Sequence, residues 1–487
     1  MILTAVQRVL CCLCPAVLFA AFAIAGDVRL ADAVKKRNIE YARTLLAEHV
    51  DVTVPQGDGA TALHWAVHYG EADLADLLIR SGANVNAATD LGATPLYLAC
   101  LNADGQMVEA LLKSGANARS ALESGETSLM TCARTGNVKA VAALISHGAD
   151  VNATERSHGQ SALMWAVSEQ HVEVVKNLLD HGADVHARSL THRAYVARRM
   201  PHAGERRGRN SGEWITKGGS TPLLLAARTG NEDIARLLLA AGADVNETAP
   251  DGNTPLSIAA HSSHGALAEF FLDQGADANA EGAGYTSLHS AVLRSDPELI
   301  VALIKHGAHP DARLVNGAPF RRTDPDGLLT GELMGATPFL LAARFLEAGL
   351  MELLAKNGAD PKIPTNDGTT PLMAAAGVAW DNAYERRGAY ITGATLPADG
   401  KEALAAVKLA IRLGDDVTAA NQDGDTALHG AVSKGYGDVV QVLVAAGARL
   451  DAKNKKGQTP LAIARGTSAF GSLKPMADLL VRLGASD

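Results

Sequence analysis

Cysteine is scarce: five in 487 residues, and three of them (Cys11, Cys12, Cys14) lie in an apolar leading segment. Only Cys100 and Cys132 remain beyond it, too few for a disulfide framework, and both read as buried thiols that behave as small apolar side chains. Aromatic residues are 4% of the chain. Positive charge is in deficit, with 44 Lys and Arg against 53 Asp and Glu and a net charge of −9, which argues against a general nucleic-acid binder. After residue 25 no apolar run is long enough to span a bilayer. Catalytic signatures are missing as well: there is no H-E-x-x-H, no G-x-S-x-G, no G-x-x-x-x-G-K-[ST] and no C-x-x-C beyond the leading segment.

Met1 to Ala25 carries one positive charge (Arg8), the run "VLCCLCPAVLFAAFAIA" and small residues before a polar chain. This layout predicts a secretory signal peptide, cleaved after Ala25, and an exported product, periplasmic or secreted. Pro15 and the short length speak against a retained anchor.

Self-similarity is the dominant feature. "TALHWA" begins at Thr61, "TPLYLA" at Thr94, "TSLMTC" at Thr127, "SALMWA" at Ser161, "TPLLLA" at Thr221 and "TPLSIA" at Thr254. The series continues at Thr286, Thr337, Thr370, Thr426 and Thr459, with successive steps of 33, 33, 34, 60, 33, 32, 51, 33, 56 and 33. A degenerate unit at Val28 makes about twelve. A second mark recurs between them: "SGANVNA" at Ser81, "HGADVNA" at His147, "AGADVNE" at Ala241. Thr-Pro suits a helix start, because proline has no N–H to lose there. "EADLADLLIRSG" has apolar residues at helical spacing and ends on a glycine.

The paired T-P-L-H-x-A and G-A-D-V-N motifs resemble ankyrin repeats and cover essentially all of the chain after the leader. The resemblance implies an all-α solenoid with short β-hairpin fingers, in which each unit buries its apolar face only by stacking on neighbours. Residues 26–60 then read as an N-terminal capping repeat, 61–458 as the array and 459–487 as a C-terminal capping repeat. The resemblance also implies that His64, His289 and His429, at the fourth place of the motif, tie helix starts to fingers. His261 and His264 lack companions at a ligand spacing, so no metal or cofactor is expected. Asn152 and Asn246 match N-x-T, but each is the Asn of the repeat's own motif.

Three steps are long. Counting from the terminating glycines places inserts in fingers at about 189–219 and 313–336, and between two helices at about 378–401. The first carries seven basic residues against two acids, a net of +5. Within it "AYVARRM" reads as a helical turn or two stopping at Pro201, and the whole as a basic flap through Arg198, Arg199, Arg206, Arg207 and Trp214.

A repeat array of this kind implies a non-enzymatic protein-binding module. Its surface places, two per repeat after the small pair, hold seven Lys or Arg and one acid, Glu169. His68, Tyr69, Arg134, Arg228, Arg294, Arg344 and Phe345 are the candidate anchors for an acidic protein partner; favourable placement of cations near helix C-termini explains the same bias without a partner. Nucleic acid is the weaker acidic candidate, and the chain is expected to be a monomer. The alternatives are a secreted effector that binds foreign-cell proteins and an enzyme site built from the inserts, around Trp380, Tyr384, Arg386 and Arg387.

Overall fold

Thr94 shows how each unit begins: its backbone is extended, its Oγ1 accepts from the Tyr97 N–H, and Pro95 fills the first helical position. In the computed structural model, which describes residues 27–198, 211–315, 333–378, 400–466 and 474–486, this start recurs along the chain. Where the motif carries histidine, the ring does the same work. His64 Nδ1 accepts from the Thr61 N–H (3.1 Å) while Nε2–H donates to the Ala93 carbonyl in the next finger (3.0 Å). His289 and His429 repeat both bonds, to Ala336 and Gln458. The two bonds select one neutral tautomer, and the rings are buried.

The chain divides into two compact units, Met1–Asp184 and Val185–Asp487. The first contains α1 (Arg29–Lys35), α2 (Ile39–Ala47), α3 (Ala62–His68), α4 (Ala72–Arg80), α5 (Pro95–Leu101), α6 (Gly105–Lys113), α7 (Ser128–Thr135), α8 (Val138–Ser146), α9 (Ala162–Ser168) and α10 (Val172–Asp180). Odd-numbered helices stack on one another, α3 between α1 and α5 and α7 between α5 and α9, and α8 lies between α6 and α10. Leu63, Leu96, Leu129 and Leu163 form the seam, with Ala66, Ala99 and Ala166 letting the helices approach. Truncating one of these leucines to alanine costs about 2–5 kcal/mol.

The second unit opens with β1 (Thr191–Arg198) and β2 (Ser211–Gly218). The helices follow: α11 (Pro222–Thr229), α12 (Glu232–Ala240), α13 (Pro255–His261), α14 (Gly265–Asp273), α15 (Ser287–Arg294), α16 (Pro297–Lys305), α17 (Pro338–Arg344), α18 (Ala348–Lys356), α19 (Pro371–Ala376), α20 (Gly400–Arg412), α21 (Ala427–Lys434), α22 (Gly437–Ala445), α23 (Pro460–Arg465) and α24 (Lys474–Arg482). The stacking rule is the same, from α11 on α13 through to α21 on α23.

The Asn of the G-A-D-V-N mark links successive units. Asn86 Nδ2 donates to the Gly115 carbonyl and its Oδ1 accepts from the Asn117 N–H; Asn152, Asn246 and Asn279 repeat the pair of bonds. Both functions of the amide are therefore used internally. Single backbone bonds join successive fingers, as in Asp90 N–H to Asp58 O and Glu123 N–H to Leu91 O.

Three expectations need correction. Outside the insert at 189–219, the described fingers are tight turns with two isolated bridges, Ala121↔Thr127 and Thr154↔Ser161, because a turn such as Thr89–Ala93 leaves too few residues for a ladder. "AYVARRM" is not a helix start: Thr191 to Arg198 pairs antiparallel with Ser211 to Gly218. Its base closes through Ser189 N–H to Ser220 O and Ser220 N–H to Ser189 Oγ, and the Thr, Tyr, Val, Trp and Ile content suits strands better than a helix. Finally, Cys100 and Cys132 are not free thiols but a disulfide joining α5 to α7. Stacking brings their Cα atoms to 4.6 Å across a sequence separation of 32, and both are fully buried.

Candidate partner-binding surface

In the first unit the variable fifth place of the motif holds a half-exposed tryptophan in two repeats, Trp65 and Trp165. Trp65 on α3 donates from Nε1 to Gln56 Oε1 (2.8 Å), which turns the indole toward the finger. Lys35 Nζ lies 4.6 Å from its ring centre, and Tyr69 stacks on it at 6.1 Å and 26°. The Tyr69 hydroxyl donates to the Lys35 carbonyl. Arg37 sits 5.4 Å over the Tyr69 ring while pairing with Glu71 at 3.2 Å. His68 is exposed and meets Tyr69 edge-on at 4.9 Å. Each cation over a ring contributes about 0.5–1 kcal/mol at such exposure.

A second cluster lies on α7 and α9. The Arg134 guanidinium is 4.8 Å from the Trp165 ring centre and 3.8 Å from Glu126 Oε1. Glu126 also accepts from the Tyr97 hydroxyl (3.3 Å) and Thr131 Oγ1 (2.9 Å). Burial, and then the Glu126 charge, pushes the Tyr97 hydroxyl above its ordinary pKa. The Arg134 backbone is fixed too: His171 Nε2–H donates to its carbonyl (2.9 Å). Gly136, at φ +78°, makes room for that imidazole, since a Cβ there would fall 2.6 Å from His171 Cε1. His264 and Gly230 hold the Arg228 carbonyl in the same way.

The expected anchors therefore divide. His68, Tyr69 and Arg134 are accessible and held in place in the first unit, and Arg228 is exposed in the second. Arg294 is half-buried, with Nη2 3.3 Å from His261 Nε2. Arg344 and Phe345 are not surface anchors at all, being 5% and 6% exposed. The helices α13, α15, α17 and α19 are buried at their fifth places too, through Ile258, Ser290, Leu341 and Ala374, as is Thr131 on α7, whereas Trp65, Leu98 and Trp165 in the first unit are half-exposed. α17 is buried from Pro338 to Arg344, so two residues beyond its small pair are still inside the packed stack. Trp65 and Trp165 stand at the variable fifth place of the motif rather than at its helix-end places, and an aromatic at that place is their sequence signal.

On the ribbon of β1 and β2, Tyr195 pairs with Trp214 across the strands, rings 5.5 Å apart, with the Arg193 guanidinium 5.8 Å from the indole. Tyr195 is 51% and Trp214 57% exposed. The side chain of Arg198 and residues Arg199, Arg206 and Arg207 lie outside the described residues, as do Trp380, Tyr384, Arg386 and Arg387.

Other polar groups serve the scaffold. Asp415 stands where most units have alanine after the glycine; its carboxylate accepts from the Leu372 and Asp416 N–H groups, and burial pushes it up to about 6. A cleft of about 280 Å³ between two fingers is lined largely by Ala118, Ala121, Leu129 and Ala149, with Arg119 and Asp150 at its polar edge. Among the described residues no group of three or more His, Cys, Asp or Glu is arranged to hold a metal, and no helix is long and apolar enough to cross a membrane.

Comparison with known proteins bears on the family. The model described as "Ankyrin repeats (3 copies)" matches residues 30–121, 102–189, 223–314 and 398–485. Ankyrin repeat and SOCS box protein 16 of Mus musculus is 31% identical over 259 residues, covering 50% of this chain and 46% of that protein. Neurogenic locus notch homolog protein 1 of Xenopus tropicalis is 33% identical over 141 residues, covering 27% of this chain and 6% of that one. The chain thus spans less than half the length of these curated relatives. A crystal structure of the human ASB11 ankyrin repeat domain, 27% identical, covers 49% of this chain and 95% of that one at a TM-score of 0.39. Ankyrin repeat proteins generally mediate protein–protein interactions and are typically non-enzymatic scaffolds. The motifs, the stacked helix pairs and the family match over more than half the sequence agree: this chain belongs to the ankyrin repeat family.

Proposed function

We propose that the protein is an exported interaction module of about twelve repeats, a monomer that binds an acidic protein partner through the face of its first unit. The observation that carries this reading is the pair of half-exposed tryptophans, Trp65 and Trp165, each with a cation (Lys35, Arg134) held over its ring. Aromatic and arginine side chains that are rigid before binding lose little entropy when a partner arrives, and they dominate interface hot spots. The cations attract a carboxylate-rich surface and raise its association rate.

Export is supported by the leader Met1 to Ala25 and by the Cys100–Cys132 bond, because such bonds persist in oxidising compartments. The test is capture from the envelope fraction of the source organism on immobilised residues 26–487, at low and at high salt, beside Lys35→Glu/Arg134→Glu. An acidic protein held at low salt, released by salt and lost from the variant supports the reading. A partner retained equally by the variant overturns the assignment of the face.

A further inference from the structure

The ribbon of β1 and β2 has features of a docking edge. Its eight register pairs run from Thr191↔Gly218 to Arg198↔Ser211, and among the described residues the sheet has these two strands alone. A two-stranded ribbon leaves about half the backbone N–H and C=O groups of each strand facing outward, a template for a third strand. Tyr195 on β1 and Trp214 and Thr216 on β2 are exposed, and at the foot of the ribbon the β1 side is the more accessible: Thr191, His192 and Arg193 are exposed, whereas Lys217 and Gly218 of β2 are half-buried and Gly219 is buried. At that foot the chain is anchored by Arg188, whose Nη1 donates to the Gly219 and Thr248 carbonyls. The edge therefore stands on a fixed base.

One face of the ribbon carries Arg193, Tyr195, Trp214 and Thr216, since side chains two apart share a face. Charge decides among occupants. Residues 189–219 hold seven basic side chains against two acidic ones in a chain of net −9, so the ribbon of a second copy is repelled and an acidic strand is attracted. We infer that β1 takes up an extended acidic peptide segment by strand addition, its carboxylates beside Arg193 and its apolar side chains against Tyr195 and Trp214. This deepens the proposed binding of an acidic protein and rests on it, but places a second contact outside the face of the first unit.

The test uses residues 26–487 and a fluorescein-labelled octapeptide in which Glu and Val alternate at every second position with Ser between them, so that both types share one face of the added strand, read by fluorescence anisotropy. The expected result is binding that weakens at least tenfold when one central Val of the peptide becomes Pro, because proline removes a ladder donor. Tyr195→Ala/Trp214→Ala should weaken it at least tenfold, deletion of 192–217 should abolish it, and Lys35→Glu/Arg134→Glu should leave it unchanged. A Lys–Val octapeptide should not bind. Absence of Glu–Val binding, indifference to the proline or to the ribbon variants, or preference for phosphatidylglycerol vesicles or oligothymidylate overturns the inference. Loss in Lys35→Glu/Arg134→Glu alone would instead place peptide binding on the first unit's face and leave that reading standing.

Discussion

Arg134 and Trp165 are held face to face across the stacked helices α7 and α9, the guanidinium carbon 4.8 Å from the ring centre with Glu126 at its flank. Exchanging Arg134 for glutamate removes the cation and opposes Glu126. The expected outcome is at least a tenfold loss in partner affinity, with a stability change of about 1 kcal/mol or less, since the pair is partly exposed. Calorimetric titration beside thermal unfolding separates the two effects.

Arg228 and Arg344 occupy the same place in their motifs but differ in burial. Arg228→Glu, on an exposed helix end, should leave unfolding within about 0.5 kcal/mol of the parent. Arg344→Glu reverses a buried charge and should cost about 3–5 kcal/mol. Equal unfolding curves for the two variants would show that Arg344 is not enclosed.

His289 carries a pH dependence of known sign. Burial lowers its pKa from the ordinary 6.5 to about 4, the hydrogen bonds to the Ala336 and Ala312 carbonyls opposing in part. The unfolded chain therefore binds the proton first, so the stability His289 contributes is complete above pH 6.5 and is lost as pH falls toward 4. Asp415, raised to about 6, acts in the opposite sense and favours the folded state as pH falls. A difference measurement isolates the histidine: acidification from pH 6.5 to 4 should destabilise the parent relative to His289→Gln by up to about 3 kcal/mol. A constant difference would mean the ring is not buried neutral.

The Cys100–Cys132 bond closes a loop of 32 residues and by loop-closure entropy adds about 4 kcal/mol to the first unit. Dithiothreitol should lower the unfolding temperature of the parent and leave Cys100→Ala/Cys132→Ala unaffected. Two thiols per chain reacting with a thiol reagent in denaturant, without prior reduction, would show that the cysteines are free.

What the sequence made legible is what the repeat dictates locally. Thr94 with Pro95 announces a helix start, and the roles of His64, His289 and His429 follow from their place in the motif. The disulfide was not legible, because Cys100 and Cys132 sit at different places in successive motifs and meet only through the stacking of α5 on α7. The burial of Arg344 and Phe345 escaped for a similar reason: a helix-end place marks the surface only where packing stops short of it. The strands β1 and β2 have a sequence signal in Thr, Tyr and Val before, and Trp, Ile and Thr after, a glycine- and arginine-rich stretch.

The most direct measurement is the affinity of a captured acidic protein for the parent and for Lys35→Glu/Arg134→Glu, taken at two salt concentrations. The account expects the parent to bind at least tenfold tighter than the variant at low salt, with the gap narrowing as screening grows. Equal affinities for parent and variant at low salt would contradict it.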